Sequence, residues 1–351
     1  MGSMWDVGRK QLQDSFSSRR FLIVLGLFLV LSMVSVYMGI QNYQQSLEEF
    51  GSGDVYGAAP EKPTLIEVFQ PLFSFNMPMT AGLLGLLLSY DYISKEREEG
   101  TIELLLSYPI YRDEIINGKL AAGIFTVAFA ILSALTVSSG LAIFMTGKMP
   151  GLETVSRLSM IWIGTVIYIT FFIGLGTFFS TVFRSRWRSL IAGTLVLVLF
   201  IGTPFIADFA ANTLYPYSSI EKKLPGPDTR EPAVVQSEME GRVVAEGEAV
   251  RPGAPEREPV QEREGPSREE LREQLEAKRQ RFKSRVTKIS SSAVYQEFTG
   301  TMLGTRYNSR EGLEPTFAES LGSSFGYLVY LISQTSLVLA GAYGFFLRQD
   351  L

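Results

Sequence analysis

The chain has 351 residues, 46% of them hydrophobic and 19% charged, with a formal net charge of −4. A mean hydropathy of +0.15 beside that many charges requires the apolar and charged residues to be segregated along the chain. Cysteine and histidine are both absent, which excludes disulfides, thiolate nucleophiles, imidazole bases and ordinary zinc sites, and with them most enzyme chemistries. The mild net charge comes with no compact basic patch carrying interleaved aromatics, so no nucleic-acid partner is expected.

Met1-Gly2-Ser3 reads as a tag remnant before a native start at Met4. Residues 4–20 then place Trp5, Leu12 and Phe16 near one helical face with Arg9, Lys10, Arg19 and Arg20 around it, the pattern of an amphipathic helix in a membrane interface. Residues 21–40 carry no charge and match the ~20 residues needed to cross about 30 Å of hydrocarbon. That run is too long for the apolar core of a signal peptide. Residues 41–67 are acidic and contain the turn signals GSGD and AAPEKP, predicting a loop. Further apolar runs cover 68–90, 120–146, 161–183, 189–207 and 321–346, giving six spanning helices in an all-α membrane protein. Pro71 and Pro78 predict that the first half of span two is kinked or partly re-entrant.

Short-loop charges orient the spans. One side holds Arg9, Lys10, Arg19, Arg20, Lys95, Arg97, Arg112, Lys119, Arg184, Arg186, Arg188 and Arg348, against Lys62, Lys148 and Arg157 on the other. The positive-inside rule puts both termini and residues 91–119 in the cytoplasm of a multi-pass cell-membrane protein. The region between spans five and six is then extracytoplasmic. Within it, residues 224–266 hold seven prolines and no aromatic residue, a composition that predicts disorder. A capping box at Ser267 to Glu270, acidic residues early and basic residues late predict a helix over 268–289, with Leu271, Leu275, Phe282, Val286 and Ile289 as its apolar stripe. Residues 290–307 read as a short helix or loop on the outer membrane surface. The predicted organisation is therefore 1–20, the tag remnant and interfacial helix; 21–209, spans one to five; 210–320, an extracytoplasmic insert; and 321–351, span six with a short cytoplasmic tail.

No Walker A sequence is present, since Gly147-Lys148 is followed by Met149 and Gly118-Lys119 by Leu120. The central parts of the predicted spans hold no ionisable residue, and Asp91 and Asp208 fall at span ends, which disfavours a proton- or sodium-coupled carrier. No Asp, Glu, Ser or Lys cluster has catalytic spacing, so no enzyme activity is expected of this chain.

The segment DYISKEREEGTIELLLSYPIYRDEIINGK, residues 91–119, is too charged for lipid and too short for a domain. Gly100 permits a reversal, Thr101 can cap a helix starting at Ile102, and Ser107, Tyr108 and Pro109 end it. Leu104, Leu105 and Leu106 beside Glu96, Glu99 and Glu103 make a surface suited to a protein groove. An interfacial connector with its leucines among lipid headgroups is the alternative on physics alone.

The order Glu96 or Glu99, Gly100, Thr101, Glu103, Leu104, Leu105, Pro109, Arg112, then Gly118 and Lys119 at the start of the next span, resembles the coupling-helix segment of type-2 ABC exporter permeases, in particular the NosY-like group. The resemblance covers roughly residues 4–220 and 289–351. Ser290-Ser291-Ser292 stands where family members often have proline, and residues 221–288 exceed the family minimum. The resemblance implies a permease subunit of an ATP-driven exporter, a homodimer served by two copies of a cytoplasmic ATPase that binds ATP and magnesium, with no cofactor on this chain. It implies that spans two and five line the path between permeases, making Phe73, Phe75, Asn76, Met77, Thr80, Phe200, Thr203 and Phe205 the candidate pathway; lipid-facing or core packing is as good a reading for any one of them. A mechanotransmission or assembly subunit, acting through helix 268–289 on an extracytoplasmic protein, is the alternative.

Overall fold

The computed structural model describes residues 4–52, 63–101, 112–217, 268–305 and 315–348. These residues are mostly helical, joined by short turns, without a strand among them. The chain divides into two compact units, Met1–Thr203 with Thr287–Leu351, and Pro204–Val286. Among the described residues, six helical stretches are long and apolar enough to cross a membrane: Phe21–Gly51, Leu65–Glu98, Asp113–Thr146, Leu152–Val182, Arg186–Leu214 and Phe317–Arg348. The disorder predicted for 224–266 and the cap at Ser267 lie outside the described residues.

Helix α1 covers Met4–Ser17 and α2 covers Arg19–Ser52. The loop predicted from residue 41 is not observed, because α2 continues through residues 41–52. Residues 42–50 contain neither glycine nor proline and include Gln, Leu and Glu, all good helix formers. Tyr43 is buried there, and its hydroxyl accepts a 3.0 Å hydrogen bond from Lys148. At 1.5 Å per residue α2 is about 50 Å long, well beyond the ~30 Å of hydrocarbon.

Span two changes winding as it descends. A 3₁₀ turn, Leu65–Phe69, leads through Pro71 to a π turn, Leu72–Asn76, and then to α3, Met77–Ser89. Pro78 has no N–H for the carbonyl four residues back, so a regular ladder could not run through it. The predicted kink takes the form of a π turn, in which the Met77 N–H donates to the Leu72 carbonyl five residues back. Helix α4, Ser94–Glu98, follows a short turn; α5 covers Arg112–Thr146, α6 Leu152–Val182 and α7 Arg186–Leu214. Spans two and four are the most enclosed, while spans one, five and six keep broad apolar faces uncovered. Apolar exposure of that kind suits lipid or another transmembrane subunit.

The largest departure from the sequence reading concerns α9, Ser291–Met302. A surface location was predicted; instead α9 is enclosed by α6, by span two and by α10, Phe317–Arg348. Tyr295, Phe298 and Met302 are fully buried. The Tyr295 hydroxyl shares a 2.8 Å hydrogen bond with Thr165, and the Tyr168 hydroxyl donates to the Pro78 carbonyl at 2.6 Å while meeting Ser292 at 2.9 Å. Gly164 makes room for this packing: a Cβ there would stand 2.2 Å from the Phe298 ring. Ser290 caps α9, accepting from the Ala293 N–H and donating to the Phe200 carbonyl at 2.7 Å.

Arg157, counted as a loop charge from the sequence, lies in the second turn of α6 and is 5% exposed. Its guanidinium donates to the Met302 carbonyl, the Pro315 carbonyl, the Ser320 hydroxyl and Glu153. Four acceptors offset the cost of burying the charge.

In the second unit, α8 spans Arg268–Thr287, ending two residues before the predicted 289. Leu271, Leu275, Phe282 and Val286 are half-buried, whereas Ile289 is 67% exposed and does not belong to that stripe. Phe282 meets Tyr215 edge-on at 6.0 Å, Lys283 pairs with Asp208, and the buried Arg279 binds Asn212 and stacks 4.1 Å over Tyr217.

Candidate functional site

The charged turn below span two is built from the backbone outward. Ser180 of α6 accepts hydrogen bonds from the Ile93 and Ser94 N–H groups, each at 2.9 Å, fixing the direction in which the chain leaves span two. Helix α4 is then closed by a Schellman arrangement: the Thr101 N–H donates to the Glu96 carbonyl at 2.9 Å and the Gly100 N–H to the Arg97 carbonyl at 3.3 Å. Gly100 has φ +66°, the left-handed conformation that this closure needs.

Three cations bind this turn to three different spans. Lys119 of α5, itself buried, donates both to Glu96 and to the Tyr92 carbonyl. Arg97 donates to the Thr181 carbonyl of α6 at 2.9 Å. Arg186, at the start of α7, bonds Glu98 through its side chain and through its backbone N–H at 2.9 Å, and reaches Glu99 at 3.5 Å. Ties to α5, α6 and α7 make the turn a rigid extension of the spans.

Of the predicted docking residues, Glu96 and Lys119 are paired with each other inside the protein. Glu99, Gly100 and Thr101 are exposed and adjoin one another. Gly118 lies against α1, where a Cβ on Gly8 would stand 3.4 Å from its carbonyl oxygen. Arg112 opens α5, while Glu103, Leu104, Leu105 and Pro109 lie outside the described residues. Sequence reasoning missed Ser180 and the partnership of Glu98 with Arg186; the cluster Arg184-Ser185-Arg186 was the available signal, but it registered only as positive charge.

The candidate pathway residues differ in their exposure. Phe73 and Met77 are fully buried. Asn76 is committed at both ends of its amide, donating to Ser35 at 2.8 Å and accepting from the half-buried Thr80 at 2.7 Å. Phe200 stacks on Phe171 at 5.8 Å, and Thr203 is buried with its hydroxyl on the Leu199 carbonyl. Phe75 and Phe205 are open, at 79% and 77% exposure.

Residues 5–351 match the model of the ABC-2 family transporter proteins. The chain belongs to that family. It is 33% identical over 132 residues to the probable ABC transporter permease protein NosY of Stutzerimonas stutzeri, a stretch covering 38% of this chain and 42% of the relative. Its identity to the protein of the same description from Pseudomonas aeruginosa is 32% over 132 residues, with the same coverage. The chain thus spans about two-fifths of the length of the curated relatives it matches. As an ABC-2 family member with six apolar helices, it is a multi-pass membrane protein and the membrane subunit of an ABC transporter.

Proposed function

We propose that this subunit couples ATP hydrolysis by a separate ATPase to export of a substrate across the cell membrane, working as a homodimer with two ATPase copies. Both termini and residues 91–119 face the cytoplasm in this reading, and ATP with magnesium binds the ATPase rather than this chain. The observation that carries it is the bonding of the charged turn to α5, α6 and α7 through Lys119, Arg97 and Arg186. A force applied at Glu99 to Thr101 would be passed to those spans through these bonds. An apolar, uncharged path, to which the exposed Phe75 would contribute, suits a lipid-like, amphiphilic or peptide cargo better than a free ion. Tagged permease should co-purify an ATPase, and Glu103→Arg with Leu105→Asp should abolish both that association and transport. Intact transport in that variant overturns the reading.

A second reading draws on the second compact unit, whose own contacts at Arg279, Phe282 and Lys283 give it internal order. In it the chain is a mechanotransmission or assembly subunit acting through α8 on an extracytoplasmic partner. Deleting residues 221–288 should then abolish cellular function while leaving ATPase co-purification intact; unchanged function removes this reading.

A further inference from the structure

We propose that the cleft between α1 and the first turns of α5 is a binding site for a single anionic phospholipid. Helix α1 runs lengthwise along α5: Gly8 lies against Gly118, and further up Phe16 meets the Phe129 ring edge-on at 6.0 Å. Small residues at Gly8, Gly118 and Ala122 leave an opening of about 410 Å³ between the two helices, walled by Leu12 and Phe125. Phe125 and Phe129 are otherwise exposed, so the cleft is continuous with an uncovered apolar face of span three. An apolar opening on such a face excludes water and accepts a hydrocarbon chain.

The charge beside the cleft selects the headgroup. Arg9 lines it and is exposed, and among the described residues Arg9, Lys10 and Arg19 form no ion pair. Lys119, one residue past Gly118, is by contrast fully engaged with Glu96 and the Tyr92 carbonyl. Among the residues lining the cleft, Arg9 is therefore the cation available to a ligand, at the level of α5 where the apolar run beginning at Leu120 meets polar sequence. A guanidinium binds phosphate oxygens in a two-pronged fashion, and a net negative headgroup adds an attraction that a zwitterion lacks. Acyl chain between the helices and phosphate on Arg9 would brace α1 against the helix that carries Lys119.

The full-length permease, held in mixed micelles of equimolar palmitoyl-oleoyl phosphatidylglycerol and phosphatidylcholine, can be tested by native mass spectrometry, which counts retained lipids of each kind. The wild type should retain phosphatidylglycerol in preference to phosphatidylcholine. Arg9→Gln should lower phosphatidylglycerol retention about fivefold, as loss of one basic contact with an anionic lipid predicts. Ala121→Leu, on an exposed position of the cleft lining, should lower retention of both lipids by filling the space. Arg188→Gln, an exposed arginine elsewhere, should change neither. Equal retention of the two lipids by the wild type, wild-type retention in Arg9→Gln or Ala121→Leu, or an equal loss in Arg188→Gln would overturn the site.

Discussion

Lys119 holds a carboxylate and a main-chain carbonyl on span two from a position on span three, and little water reaches any of them. Removing only the cation leaves the largely enclosed Glu96 carboxylate, 18% exposed, without its counter-charge, the costly half of a broken pair. Lys119→Met should lower stability by about 3 kcal/mol, read as a reduced thermal midpoint of the purified permease. Adding Glu96→Gln should restore much of the loss, because the uncompensated charge is then gone; an unchanged midpoint in Lys119→Met would remove the pair from the account. From sequence, Glu96 and Lys119 were both assigned to an outward docking surface. Charge and spacing locate a residue at a helix end but do not say which side of the end it occupies. Here the two helix ends meet through space, and only that meeting turns both residues inward. Gly100 was more legible, because a glycine after a run of charged helix formers has few roles other than closing the helix.

Among the elements, α9 shows where pattern reading stops. Its sequence, SSAVYQEFTGTM, mixes apolar and polar residues without a strong stripe, and so resembles a surface segment. Its polar groups are instead satisfied inside, Tyr295 by Thr165 and Ser292 by Tyr168, on partners more than a hundred residues away. No local signal reports partners of that kind, and Gly164, which admits the Phe298 ring, reads in sequence as one more small residue in a spanning helix. Phe298→Ala should cost about 3–5 kcal/mol, the usual consequence of emptying an aromatic from a closed core. Differential scanning fluorimetry on the detergent-solubilised permease would measure it, and a loss under about 1 kcal/mol would mean that α9 is not held by this packing. The extended α2 failed to be predicted for a simpler reason. Turn residues begin only at Gly51, so the charged and amide residues before it lengthen the helix rather than end it.

At the scale of the whole molecule, the number of spans and the helical class followed from length and hydropathy alone, because a bilayer admits only backbones that satisfy their own hydrogen bonds. Which spans sit inside did not follow. Apolar residues cover every side of these helices, and burial of spans two and four depends on small residues, such as Gly82 and Gly85 facing α6, more than on hydrophobic contrast. Arg157 has a practical consequence at this scale. It holds the Met302 and Pro315 carbonyls on one guanidinium, so both ends of residues 303–314 are moored by a group outside that segment. The chain-closure entropy of a connection between two fixed ends rises by only about 0.6 kcal/mol per doubling of its length. A short epitope inserted between residues 308 and 309 should leave expression unchanged and stain on intact cells freed of any outer barrier, whereas staining only after permeabilisation would reverse the assigned orientation. An arginine that reads as a loop charge thereby offers a mooring for a label, and with it a way to see which face of the protein looks out of the cell.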